Sequence, residues 1–296
     1  MGTSRTARQV KCSRWPTPRP GNVSRIVIYV IIHQIASTVK TILQITDLHL
    51  SPDPDALNRG VEVLKTLRNV LGHIRTHHSG FDFLVLSGDL ADGEQKKSYE
   101  TVKEELGDWI SRALLIPGNH DHRGRMRDVF GDRVPAGDDT VSFRQESGAW
   151  MMLGLDTLVP GEVGGRVEPG HLEWVEREVK KNASVPVLLF MHHPPVSVNC
   201  AWVDELGLVE GDAFRDLVQR SPNVRAVFAG HVHQEFNGFL GDVPVYTTPS
   251  TAMQFVPGID EFAVDRVPPG YRVIELDGED FRTRVVRFPE WVYSPE

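Results

Sequence analysis

From Thr41 the chain alternates between apolar runs of strand length and segments whose apolar residues recur at helical spacing. TILQIT (41–46) predicts a strand, and Leu57, Val61, Leu64, Leu67, Leu71 and Ile74, three or four residues apart, predict an amphipathic helix. FDFLVLS (81–87) predicts a second strand, a polar helix follows around Lys96 to Leu106, and ALLIPG (113–118) predicts a third strand. WMMLGLD (150–156), PVLLFM (186–191) and VRAVFA (224–229) predict three more, with Leu172, Val175 and Val179 marking a helix before the second of these. These are buried strands of an α/β layer. The end differs: FNGFLGDVPVYTT and GYRVIELDGEDFRTRVVRF predict hairpins turning at Gly241–Asp242 and Asp277–Gly278, so an antiparallel portion closes the domain.

A chain of 296 residues, 40% hydrophobic, holds one large domain or at most two, and a single core is the simplest expectation. Cys12 and Cys200 lie far apart and match no zinc or redox spacing, which points to free thiols in a reducing, cytoplasmic compartment. The net charge is −8, and because the first 38 residues carry six cations and no acid, the remainder stands at −14. An acidic body of this kind is unsuited to tracking nucleic-acid phosphates. The basic start followed by IVIYVIIHQIAS (26–37) is signal-like, and export is the alternative location, but His33 and Gln34 interrupt the run and it is too short to span a bilayer. The expectation is a non-catalytic, poorly ordered extension over 1–38 and a folded domain over 39–296, with no nucleic-acid or membrane partner.

In α/β sheets ligands bind beyond the carboxyl ends of the strands. Five of the apolar runs end in residues able to ligate a metal: Asp47 and His49, Asp89, Asn119, His192, then His231 and His233. Singly, each of these is ordinary turn or surface chemistry, a reading that does suit His33, His73, His77, His78 and His171. Together, four imidazoles, two carboxylates and an amide oxygen exceed what one ion with an open position needs and suit two ions sharing a carboxylate.

The motifs DLH at 47, GD at 88, GNHD at 118, HHPP at 192 and GHVH at 230 resemble the signature of the calcineurin-like metallophosphoesterases, over about residues 40 to 288. NCAWVDELGL (199–208), TPSTAMQF (248–255) and VPPGYRVIEL (267–276) resemble segments of the bacterial class III cyclic nucleotide phosphodiesterases, the 3',5'-cyclic AMP branch. The resemblance implies a four-layer α/β/β/α sandwich. It assigns Asp47, His49, Asp89 and His233 to one divalent ion and Asp89, Asn119, His192 and His231 to the other; His193, next to a ligand and before two prolines, is a weaker candidate or else a support for the loop. The ions would be iron, manganese, zinc or cobalt, since nitrogen and oxygen ligands without sulfur suit all four.

The resemblance further implies hydrolysis of 3',5'-cyclic AMP to 5'-AMP. Two cations about 3.5–4 Å apart lower the pKa of a bridging water enough to supply hydroxide near neutral pH. Asn119, His120 and His233 would face substrate, with His120 protonating the departing 3' oxygen and Asp121 orienting it; otherwise Asp121 caps the next helix and His120 points to solvent. Trp202 offers a stacking surface for a base, or else ordinary loop packing. The alternatives are a phosphodiesterase for glycerophosphodiesters or 2',3'-cyclic nucleotides, or a non-catalytic scaffold of the same fold. Oligomeric state is open, a homodimer included.

Overall fold

The computed structural model describes residues 39–134 and 140–287. The segment 1–38, with its signal-like run, lies outside them. In chain order the principal strands are β1 (Lys40–Ile45), β2 (Phe83–Ser87), β3 (Ala113–Ile116), β4 (Phe143–Ser147), β5 (Trp150–Gly154), β6 (Val187–Phe190), β7 (Val224–Ala229), β8 (Phe236–Leu240), β9 (Val243–Thr247), β10 (Gly270–Asp277) and β11 (Asp280–Arg287). The principal helices are α1 (Val63–His77), α2 (Lys96–Leu106), α3 (Arg123–Phe130), α4 (Pro169–Lys181) and α5 (Asp212–Gln219).

Two sheets result. One has the order β11-β10-β1-β2-β3, parallel from β1 to β3 and antiparallel on the other side of β1. The other has the order β8-β9-β7-β6-β5-β4, parallel from β9 to β5 with an antiparallel strand on each edge. A strand covered on both faces sends alternate side chains to opposite sides. Thus Leu188 and Phe190 of β6 enter one core while Val187 and Leu189 enter another, and in β1 Ile42 is divided from Leu43 and Ile45.

The core holding Ile42, Val85, Ile116, Phe190 and Phe228 draws on both sheets and so lies between them. A second core packs Leu67 and Leu71 of α1, Val102 of α2 and Met126 of α3 on the outer face of the first sheet. A third packs Val175 and Val179 of α4 with Phe214 and Leu217 of α5 on the outer face of the second. Three cores separate four layers, the α/β/β/α sandwich expected.

Three expectations about elements are corrected. The helix predicted from Leu57 begins only at Val63, because Arg59 and Gly60, both at positive φ (50° and 75°), reverse the chain between the short strands Leu57–Asn58 and Val61–Glu62. Leu57, counted on the buried stripe, is 61% exposed. The final hairpin pairs Asp277 with Asp280, so its turn is Gly278–Glu279, one residue later than expected. Finally, the two terminal hairpins are not one closing unit: β8–β9 extends the second sheet and β10–β11 the first.

Candidate metal centre

The loops leaving β1, β2, β3, β6 and β7 meet along one edge where the two sheets adjoin. Backbone bonds hold them in register: the Asp47 amide donates to Gly88 O at 3.0 Å, His49 to Asp89 O at 2.9 Å and Gly230 to His192 O at 3.0 Å. Asp47, His49, Asp89, His231 and His233 all adopt positive φ, between 47° and 69°. Five of the seven sequence-derived ligand candidates therefore sit in a backbone region that costs non-glycine residues on the order of 1–3 kcal/mol each. Surrounding structure must hold them there.

GHVH is consequently not a strand continuing past its glycine. His231 and His233 are both left-handed, and their rings reach different partners, Asn119 for the first and Asp47 for the second. Gly230 has no unusual φ; it is required because a Cβ would fall 2.1 Å from Thr46 Oγ1 and 2.8 Å from Asp47 Oδ2. Gly88 needs both freedoms, with φ of 99° and a would-be Cβ 2.4 Å from His192 Nδ1.

The seven side chains form two groups around Asp89. In the first, His233 Nε2 lies 3.3 Å from Asp47 Oδ1 and 3.1 Å from His49 Nε2, which is 3.6 Å from Asp89 Oδ2. In the second, His192 Nε2 lies 3.3 Å from the same Asp89 Oδ2 and 3.3 Å from Asn119 Oδ1, itself 3.0 Å from His231 Nδ1. Two ligands about 2.1 Å from one ion stand about 3.0–3.5 Å apart, a spacing that most of these separations match. Asp89 Oδ1 is occupied by the His120 amide at 2.9 Å, which leaves Oδ2 facing both groups.

The donor chemistry fits cations as well. His192 Nδ1 donates to Ser87 O at 2.8 Å and His233 Nδ1 to Met253 O at 2.9 Å. Each ring thereby presents Nε2 to the carboxylates, the orientation that backbone carbonyls impose on metal-binding histidines. His231 Nε2 and His49 Nδ1, the ring nitrogens opposite those that face Asn119 and His233, are buried without a hydrogen-bond partner. Burial would raise the Asp89 and Asp47 carboxyls, but nearby imidazoles outweigh it and hold both below the ordinary range. Reciprocally, burial would lower His192, yet Asp89 and Asp47 push it up to about 9. The cluster's own field demands positive charge, and divalent cations can supply it.

His193 plays a different part. Its Nε2 donates to Val163 O at 3.0 Å and its Nδ1 faces Thr157 Oγ1 at 2.8 Å, so both nitrogens are engaged. Burial, with the neighbouring His192 charge, lowers it to about 3 and keeps it neutral. It braces the loop, the second of the two roles open to it. Of the remaining histidines, His73 bonds Tyr271 Oη at 2.9 Å and His171 accepts from the Asp156 amide at 3.1 Å.

Asp121 is the clearest correction. Its carboxylate accepts from the Gly118, Leu90 and Ala91 amides, tying the loop after β2 to the loop after β3, and it neither orients His120 nor caps α3. The cap is His122, whose ring accepts from the Arg125 amide. The partner of His120 is Asp92: its Oδ1 lies 3.2 Å from His120 Nδ1 and 3.6 Å from His49 Nδ1, and its Oδ2 accepts from Asn58 at 3.1 Å. The Asp92 hydrogen bond, aided by Asp89, pushes His120 up to about 9 despite its partial burial. Sequence reasoning missed Asp92, since an aspartate three residues past Asp89 in GDLAD follows no ligand spacing.

TPSTAMQF acquires a structural reason. Ser250 Oγ donates to Asp47 O, the Thr251 amide to Thr46 O, and Met253 O receives His233. A cavity of about 340 Å³ opens over the cluster, with His49, Asp89, Asn119, His120, His231 and His233 at one end and Trp202, Phe255 and Phe262 at the other. No helix among the described residues is long and apolar enough to cross a membrane.

Residues 40–235 match the calcineurin-like phosphoesterase family. The chain belongs to that family and is a metal-dependent phosphoesterase. It is 31% identical over 257 residues to the 3',5'-cyclic adenosine monophosphate phosphodiesterase CpdA of Vibrio vulnificus, covering 86% of this chain and 92% of that one. It is 30% identical to the protein of the same description from Escherichia coli K12, with the same coverage. Among solved structures, a dimetal phosphatase from Danio rerio superposes with a TM-score of 0.61 at 16% identity, over 86% of this chain and 99% of that one. That likeness establishes the fold.

Proposed function

We propose that this chain is a phosphodiesterase hydrolysing 3',5'-cyclic AMP to 5'-AMP in the cytoplasm, with two divalent cations drawn from iron, manganese, zinc or cobalt. The observation that carries the reading is the division of seven donors into two groups around one oxygen, Asp89 Oδ2. Similarity to two cyclic AMP phosphodiesterases over most of the chain supports the substrate. Asp47, His49, Asp89 and His233 would hold one ion; Asp89, Asn119, His192 and His231 the other. When bound, the ions offset the charge of the anionic diester and acidify coordinated water.

The protein's own residues supply orientation and the proton. Asn119, His120 and His233 line the cavity floor where the phosphoryl group would sit. His120, which Asp92 holds in its charged form, would give its proton to the 3' oxygen as the bond from that oxygen to phosphorus breaks. Asp121 fixes the loops carrying Asp89 and Asn119. The working domain spans 39–296, and the first 38 residues take no part.

The test is turnover by protein reconstituted with manganese or iron, on 3',5'-cyclic AMP, 2',3'-cyclic AMP and bis(4-nitrophenyl) phosphate. The highest kcat/KM is expected on the first. A preference for either of the others would overturn the substrate and leave the reaction class standing.

A further inference from the structure

The cavity does not end at the ligand set. Phe255 stacks on the His233 ring with centroids 4.1 Å apart and planes at 6°, so an aromatic wall begins one ring away from a proposed metal ligand. Trp202 and Phe262 complete it, at 5.1 Å and 5.3 Å from Phe255 and 5.2 Å from each other, all tilted or edge to face. Three separate elements deliver these rings: the single helical turn Ala201–Asp204, the short strand Gln254–Phe255, and the segment that leads to its partner Val264–Asp265. Arg59, at the tip of the hairpin Leu57–Glu62, lays its guanidinium 5.1 Å from the Phe262 ring, and Asn58 of the same hairpin bonds Asp92 beside His120.

Two features mark this wall as a receptor and distinguish it from packing alone. Phe262 is 43% exposed although it lines the cavity, and Trp202 Nε1 is buried with no hydrogen-bond partner. An indole N–H without an acceptor suits a ligand carrying ring nitrogens, and the exposed Phe262 ring suits a flat one. A cyclic nucleotide has both at a short, fixed distance from its phosphorus, because the phosphate is closed onto the ribose. A glycerophosphodiester has neither.

Resting on the reaction proposed above, we infer that Trp202, Phe255 and Phe262, with Arg59 at the rim, form the pocket that receives the substrate's nucleobase. The wall selects nucleotides over base-free diesters, while the donor cluster selects the phosphoryl group. Binding energy from the base would appear mainly in KM.

The test reads binding without turnover: calorimetric titration of manganese-loaded protein with 5'-AMP and with ribose 5-phosphate, its base-free counterpart. Wild-type protein should bind 5'-AMP at least about 10-fold more tightly, since a base stacked on an aromatic side chain typically contributes this much or more. Phe262→Ala removes an exposed ring with little cost to the core, and should erase most of that preference while ribose 5-phosphate affinity moves less than about twofold. Trp202→Phe keeps a ring and removes the N–H, and should cost about 3- to 10-fold for 5'-AMP alone. Equal wild-type affinity for the two ligands would overturn the pocket, as would variants that lose both equally or neither. Failure to hydrolyse cyclic AMP would instead remove the reaction, leaving this comparison readable.

Discussion

At one end of the cavity the walls are buried polar side chains on loops leaving strand ends, five of them at positive φ and braced by backbone hydrogen bonds. At the other end they are three rings brought by short peripheral elements, in contact with one another, with Trp202 and Phe255 also packed on the cores and Phe262 open to solvent. The first arrangement fixes atoms to within tenths of an ångström, as multidentate ligation requires. The second offers a surface that tolerates small shifts, as stacking allows. On the proposed reading, chemistry and selectivity would thus be divided between a stiff region and an adaptable one.

Substitutions at the stiff end should act on metal and kcat. The largest effect is expected from Asp89→Ala, which removes the oxygen common to both groups: elemental analysis should find metal content greatly reduced, and kcat should drop by at least about 10³-fold. Full metal with wild-type turnover would refute the shared oxygen. His120→Ala should lower kcat by about 10²- to 10³-fold with metal content retained; loss of metal would make His120 a ligand and sink its role as acid. Asp92→Asn should cost about 10-fold in kcat and alter the pH profile. His120 is raised to about 9, chiefly through Asp92, so the acid form persists at neutral pH and kcat should fall as pH rises through that value. Without the carboxylate the falling limb should move down toward pH 6.5, the ordinary imidazole value; an unmoved limb would assign it to another group.

At the adaptable end the smallest effect is expected. Arg59→Ala removes a cation–π contact at an exposed rim, and KM for cyclic AMP should rise about 2- to 5-fold with kcat unaltered. A change in kcat instead would show that the two ends are not separate.

The same division explains what was legible in the sequence. Residues at strand ends can be recognised because apolar runs locate the strands and the short motifs DLH, GD, GNHD, HHPP and GHVH follow at once. The order of buried strands and amphipathic helices made an α/β layer with an antiparallel end legible, and the family resemblance supplied the four layers. Asp92, Arg59, Phe255 and Phe262 were not, because each reaches the cavity through tertiary approach. Arg59 was assigned to a helix that in fact starts at Val63, an error of apolar spacing overridden by a turn with two positive φ angles. Asp121 misled in the opposite sense: adjacency to His120 suggested partnership, whereas the chain turns its carboxylate back to three amides.

One consequence of the layered architecture concerns assembly. Asp47, His49, Asp89 and Asn119 follow strands of the first sheet, whereas His192, His231 and His233 follow strands of the second. Each donor group draws on both, so any cation gathered there would add a cross-link between two halves already joined by an apolar core and by hydrogen bonds such as His192 Nδ1 to Ser87 O and Arg272 to Thr247 O. By mass action, rising cation concentration should then favour the folded chain, in which donors from both sheets meet.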